Sequence, residues 1–282
     1  MKSLGLLILH GMGDTPRAFH LELVERLRQR LGGDWDRIAW APVYYQDALQ
    51  GHQRALFRRM KPRIRWEGLR ELMLFGFSDA ASLEHKKEED DKPYYRSQSL
   101  ILDALDAIFD EAGGTIPLVI AAESLGGQVI SNYIWDAQQA PHAYAGVWRA
   151  PPPDPAPGSA RDRFRRGRTL QRLLTTGCNI PVFVAGHRDI IPIDRALLGE
   201  GFRWINLFDP DDVLGWPLRE LSPGYHELVE DIEVNASGGS LLGAIRSLTP
   251  GSHTQYWRTG SVLARIEAEI RALLRESPAR ES

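Results

Sequence analysis

The sequence predicts an α/β fold: a mostly parallel central sheet with helices on both faces. Three observations carry that prediction. Apolar runs of strand length alternate with segments of helical periodicity, glycines punctuate the junctions, and 43% hydrophobic with 25% charged residues over 282 positions is an ordinary globular composition. A strand covered on both faces has no polar side to show, so it reads as unbroken apolar sequence.

"LGLLILHG" (4–11) is such a run and opens the sheet. It follows Lys2, as a secretory leader would, but it lacks a small-residue cleavage site and ends in His-Gly-Met-Gly, so a buried strand is expected. Phe19, Leu23, Val24, Leu27 and Leu31 recur at helical spacing behind Pro16, a residue suited to a first helical turn. "DRIAWAPVYY" (36–45) is a second strand candidate. Leu100, Ile101, Leu105, Ile108 and Phe109 mark a helix that ends near Gly113-Gly114, and "IPLVIAA" (116–122) follows as a third strand. Leu125, Val129, Ile130, Tyr133 and Ile134 then line one face of a helix. "FRWINLF" (202–208) is a late strand, and 261–275 is an amphipathic closing helix through Val262, Ile266, Ile270 and Leu273.

Two segments interrupt this alternation within one domain spanning 1–282. Residues 46–95 carry a basic, tryptophan-containing stretch and the charge run "EHKKEEDDK", and are expected to form an inserted cap or lid. Residues 150–168 combine dense proline with several arginines and are expected to be a surface loop, the arginine-rich part running on to 172.

Charge and cysteine use exclude several classes. A net charge of −3 gives no global attraction to nucleic acid or anionic membranes, and no nucleic-acid motif accompanies the arginine-rich loop. Cys178 is the sole cysteine, so neither an intrachain disulfide nor a cysteine metal cluster can form, which fits a reducing compartment. No apolar segment reaches the ~18 residues of a membrane span. Neither His-Glu-x-x-His nor a close histidine pair appears, so no metal site is expected. A cytoplasmic protein without stable membrane insertion is the expectation.

The chemistry centres on "IPLVIAAESLGGQVISNYIWD" (116–136), where a strand runs into a lone serine and out into a helix. In an open parallel sheet, reactive groups sit at the carboxyl ends of strands. A sharp turn there strains the serine backbone, and close approach of strand and helix demands small residues two positions either side. Ala122 and Gly126 supply them around Ser124. The turn lifts the hydroxyl out of the sheet and puts the Leu125 amide at a helix N-terminus, where a developing oxyanion is favoured. A second amide donor for such an oxyanion comes from an early strand-to-helix loop; "HGMGDTP" (10–16) is that loop and Met12 the candidate donor.

A serine hydroxyl needs a base, and the base needs an acid to fix its tautomer. Of the eight histidines, His253 in "TPGSHTQYW" lies just ahead of the closing helix, where a Ser, acid, His chain order returns the base over the serine. The acid has two sources: Asp189 in "VFVAGHRDIIP", where a strand-like run ends in Gly-x-x-Asp, and the group Asp209, Asp211 and Asp212 in "INLFDPDDVLG".

With "LLILHGMG", "AESLGG", "NLFDPDDVLG" and "SHTQYW" in that order, the chain resembles the α/β-hydrolase superfamily, above all its bacterial lipase and esterase-like members, in which alanine can replace the first glycine around the serine. The resemblance implies an α/β-hydrolase fold with eight strands, an inserted cap, a Ser-His-Asp triad and no cofactor. "DDVLG" resembles the turn that carries the acid in lipases, so Asp212 is the preferred acid and Asp189 its rival. The function then expected is hydrolysis of a small-molecule acyl ester through an acyl-enzyme, with Ser124, Asp212 and His253 catalytic and the Met12 and Leu125 amides as oxyanion hole. A thioesterase or other acyl hydrolase on the same triad, or a catalytically silent scaffold used for binding, is the alternative. Trp66, Leu72, Met73, Phe75, Phe77, Tyr94 and Tyr95 of the insertion would furnish an acyl or aromatic wall.

Overall fold

The computed structural model describes residues 1–12, 15–61, 74, 93–140, 143, 145–150, 154–236 and 255–276. Six strands form one sheet: β1 (Leu4–Leu9), β2 (Ile38–Val43), β3 (Leu118–Glu123), β4 (Leu170–Thr176), β5 (Arg203–Phe208) and β6 (Val229–Glu233). Their order across the sheet is β2-β1-β3-β4-β5-β6, and every neighbouring pair is parallel. The chain starts in the interior, steps to one edge, crosses back to β3 and then proceeds outward. The resemblance implies eight strands; among the described residues there are six.

Helices cover both faces, which is why β1 is buried along its whole length. Leu7, Leu9, Ile120, Ala122 and Leu173 point to one face, against α3 (Pro93–Ala112) and α4 (Leu125–Gln139). Leu6, Ile8, Val119, Ala121 and Leu174 point to the other, against α1 (Leu21–Leu31) and the closing helix α8 (Gly260–Glu276). The two-residue alternation of each strand thus feeds two separate cores. A further helix, α2 (Gln46–Met60), follows β2. No helix among the described residues is long and apolar enough to cross a membrane.

Several elements depart from the sequence expectations. Pro16 is not in a first helical turn: its carbonyl accepts from the Phe19 amide in a separate turn, and α1 begins at Leu21. Tyr94 and Tyr95 belong to the start of α3, which Pro93 opens, a position where the missing amide costs nothing. Within the segment expected to be irregular, α5 (Ala160–Arg165) forms because Ser159 accepts from the Asp162 amide at its N-terminus. The arginine-rich stretch does not stay a loop to 172, since β4 starts at Leu170. Arg172 points inward from that strand, and its Nε donates to Oε2 of Glu269 on α8 at 2.6 Å. "VFVAG" is not a strand either. Pro181 sits in the first turn of the short helix α6 (Ile180–Val184), and β4 is the strand that precedes it. The last short helix before β6 is α7 (Pro223–Leu228).

Candidate active site

Ser124 follows β3 directly and caps the N-terminus of α4 with φ 52° and ψ −119°; it is the one non-glycine residue among those described with positive φ. Its amide donates to the Thr176 carbonyl on β4 at 2.8 Å and its carbonyl accepts from the Gly127 amide at 3.0 Å, so backbone contacts on both sides hold the turn. Its hydroxyl makes no capping bond to the helix, which removes the ordinary reason for a serine there. Gly126 answers a steric demand, because a Cβ at that position would lie 2.7 Å from the His10 carbonyl and 3.1 Å from Leu9 Cβ. Ala122 pairs with Leu9 across the sheet and is wholly buried.

The loop after β1 rests on this turn. A Cβ on Gly11 would meet Ser124 Cβ at 2.9 Å and Oγ at 3.5 Å, so only glycine lets the two backbones come so close. His10 secures the loop from behind. Its ring stacks on Tyr45 with centroids 4.0 Å apart, its Nδ1 bonds the Gly11 carbonyl at 2.6 Å, and its Nε2 accepts from the Tyr45 amide at 3.2 Å. The Tyr45 hydroxyl donates to the His10 carbonyl. Those partners require a neutral ring with the proton on Nδ1, and burial lowers its pKa to about 4 against the weaker opposing pull of the Gly11 carbonyl. Met12, next in the chain, is half-buried against the core; Leu125, after Ser124, is fully buried at the first turn of α4.

Asp212 follows β5 and is buried. Its Oδ1 accepts from the Leu214 amide at 3.0 Å and its Oδ2 from the Tyr256 hydroxyl at 2.9 Å. The same hydroxyl accepts from the Asp209 amide at 3.0 Å, so one phenol ties both ends of the Asp209 to Asp212 turn. Burial, and then the Asp212 charge, push the Tyr256 pKa well above the ordinary tyrosine range, which keeps the phenol a donor. The Asp209 carboxylate accepts from the amides of Asp211 and Ala236 and serves the turn. Asp211 is exposed, and so is Asp189, on the loop after α6. Tyr256 lies within "SHTQYW", but its bond to Asp212 spans 44 positions and has no local signal in the sequence.

His253 lies outside the described residues, as do Trp66, Leu72, Met73, Phe75, Phe77 and the charge run. Tyr94 is buried, and its hydroxyl donates to Oδ2 of Asp136 on α4 at 2.7 Å, beside Gln98 Nε2 at 2.8 Å. Tyr95 packs half-buried on the core. A cavity of about 300 Å³ runs along α4, lined by Tyr94, Gln128, Ser131, Trp135, Val184 and Tyr225 among others.

No family model matches the chain, and no curated protein matches it. Solved structures similar to it include a candidate hydrolase of the alpha/beta superfamily from Xanthomonas campestris pv. campestris (12% identity, 96% of this chain and 98% of the other, TM-score 0.41). A variant of SOBER1 from Arabidopsis thaliana is similar at 14% identity, over 96% and 99%, with TM-score 0.42. Est1E from Butyrivibrio proteoclasticus is similar at 11% identity, over 98% and 88%, with TM-score 0.41. On its own topology, a parallel sheet in the order β2-β1-β3-β4-β5-β6 with a strained serine turn leading from a central strand into a helix, this chain has the α/β-hydrolase fold.

Proposed function

We propose that the protein is a serine hydrolase that cleaves a carboxylic ester of a small molecule in two steps through an acyl-enzyme. The observation that carries this reading is the Ser124 turn: a backbone held at positive φ, closed by β4 on one side and by Gly11 on the other, with a hydroxyl not used to cap its helix. Strain of this kind costs about 1–3 kcal/mol and persists where it serves a reaction.

In this mechanism Ser124 Oγ attacks the ester carbonyl as His253 takes its proton. The tetrahedral oxyanion is held by the amides of Met12 and Leu125, each worth about 3–4 kcal/mol of transition-state stabilisation by analogy with oxyanion-hole deletions. His253 then protonates the departing alkoxide, and water, deprotonated by the same imidazole, releases the acid. Asp212 keeps the imidazole in the productive tautomer and balances its charge. Its burial and two donors favour it over the exposed Asp189. In this reading the insertion expected within residues 46–95 serves as a cap over the site within a single domain, with Tyr94 and Tyr95 belonging instead to α3, and the enzyme needs no cofactor.

A fluorophosphonate probe tests the reading directly. It should label the wild-type chain at Ser124 and leave Ser124→Ala unlabelled, and p-nitrophenyl esters should turn over with the same dependence. Equal labelling of the two proteins assigns the chemistry elsewhere. Where chemistry limits the rate, activity should rise with pH through the His253 ionisation and then level off; a flat profile from about pH 5 to 9 removes His253 as base.

A further inference from the structure

Three residues beyond the end of β4, the Asn179 side chain is buried with both ends of its amide open. It is 1% exposed, and neither Nδ2 nor Oδ1 has a hydrogen-bond partner among the described residues. Both ends of a buried amide are almost always satisfied, and each one left open is costly. The commonplace role for an asparagine at this position is to cap the following helix, and the structure rules it out. Asn179 is the N-cap of α6 but makes no side-chain capping bond; Pro181 has no amide to offer, and the Val182 amide goes to the Asn179 backbone carbonyl at 3.0 Å. Nearby on β4 and β5, Thr175 pairs with Asn206, and Asn206 with Asp231 and the Trp216 carbonyl, whereas the Thr176 hydroxyl at the end of β4 is, like the Asn179 amide, buried without a partner among the described residues.

Its place in the fold brings it to the serine turn. Thr176, three residues earlier, receives the Ser124 amide, and the Cys178 thiol fills the space over Gly127, where a Cβ would come within 2.5 Å of Sγ. Asn179 therefore lies over the carboxyl ends of β3 and β4, beside the first turn of α4. Ser124 is itself fully buried, so enclosure in this state does not set the amide apart from the reacting centre. The helix that Asn179 opens runs on to Val184 in the wall of the 300 Å³ cavity, which Gln128, one turn along α4 from Ser124, also lines.

We propose that the Asn179 amide is a specificity-determining group that hydrogen-bonds a hydroxyl or amide carried by the ester next to its carbonyl, with the remainder of the substrate in the cavity along α4. An amide offers a donor and an acceptor together, and a hydroxyl or a secondary amide answers both. The substrate class is thus an ester with a polar substituent beside the scissile bond, on either its acyl or its alcohol side, and not a plain alkyl ester. This inference rests on the ester-hydrolase reading above.

The test measures kcat/KM by proton release for three esters of similar size: ethyl butyrate, ethyl 2-hydroxybutyrate and 2-hydroxyethyl butyrate. Wild type is compared with Asn179→Leu, similar in volume, and with Asn179→Ala should the leucine fail to fit. The ratio of kcat/KM for one hydroxyl-bearing ester to that for the alkyl ester should fall roughly 10- to 100-fold in the variants, and the ester that shows the fall identifies the side. The unfolding midpoint should stay constant or rise, because an unpaired amide has been replaced by an apolar group. Ratios within twofold of wild type for both hydroxyl esters overturn the proposal, as does a lowered midpoint with unchanged ratios, which marks a structural amide. Fluorophosphonate labelling separates the two readings: labelling at Ser124 with unchanged ratios sinks this inference alone, while no labelling in wild type sinks the hydrolase assignment and this inference together.

Discussion

The Tyr256 hydroxyl donates to Oδ2 of Asp212 at 2.9 Å while accepting from the Asp209 amide at 3.0 Å. A carboxylate that must orient an imidazole cannot rotate freely, and this phenol, with the Leu214 amide on the other oxygen, fixes its plane. Tyr256 is thus a positioning residue for the proposed acid. Tyr256→Phe should lower kcat about 10- to 100-fold with little change in KM, and should cost about 1–3 kcal/mol in urea unfolding. A KM effect with kcat intact would argue that the phenol merely shapes the pocket.

The choice of acid has a sharper outcome. Asp212→Asn should lower kcat about 10⁴-fold, because the imidazole is left in the wrong tautomer, whereas Asp189→Asn should stay within tenfold of wild type. Steady-state kinetics on one ester decides it, and the reverse result transfers the role to Asp189.

Strain at Ser124 makes a prediction independent of activity. Ser124→Ala and Ser124→Gly both remove the hydroxyl, but only glycine accepts φ 52° without penalty. Ser124→Gly should be more stable than Ser124→Ala by about 1 kcal/mol in urea unfolding, after allowing for the greater freedom of glycine in the unfolded chain. Equal stability would mean that the turn stores no strain.

His10 couples stability to pH. Its ring is buried and neutral with a pKa lowered to about 4, against 6.5 in the unfolded chain. Between those values the unfolded chain binds a proton that the folded one refuses. Its contribution is therefore complete above pH 6.5 and is lost as pH falls toward 4, and the whole loss is ~3 kcal/mol. His10→Gln, which cannot titrate, should show a smaller fall in urea midpoint between pH 7 and 4.5. An identical fall in both proteins would place the acid sensitivity elsewhere.

How much of this was legible in the sequence follows from how local each signal is. β1, β2, β3 and β5 are apolar runs, and covering both faces of a sheet writes that pattern directly. Ser124 was legible because its turn needs small residues at fixed offsets, which Ala122 and Gly126 show. β4 was hidden by Arg172, which reads as a surface residue until Glu269, 97 positions away, is folded against it. β6, "VEDIE", was hidden because an edge strand exposes charge. Proline density masked α5, although Ser159 three residues before Asp162 was a usable capping signal. The partners of Tyr256 and the condition of Asn179 are tertiary facts with no sequence periodicity.

The Arg172–Glu269 pair that concealed β4 is also a test of its packing. Both side chains are buried between the sheet and α8. Arg172 also donates to the carbonyls of Gln171 and Gly201, while Glu269 also receives Arg203 and Arg265. Removing one charge leaves the other desolvated and uncompensated, so Glu269→Gln should cost about 3–5 kcal/mol. Replacing both by leucine removes the desolvation penalty along with the attraction, and Arg172→Leu with Glu269→Leu should recover most of that loss. Arg172 enters near the start of β4, whereas the serine turn packs against Thr176 at its end, so fluorophosphonate labelling of the folded double variant should proceed at the wild-type rate. Urea unfolding of wild type, Glu269→Gln and the double variant makes the comparison; a double variant no more stable than Glu269→Gln would show that the pair contributes net stability in this core.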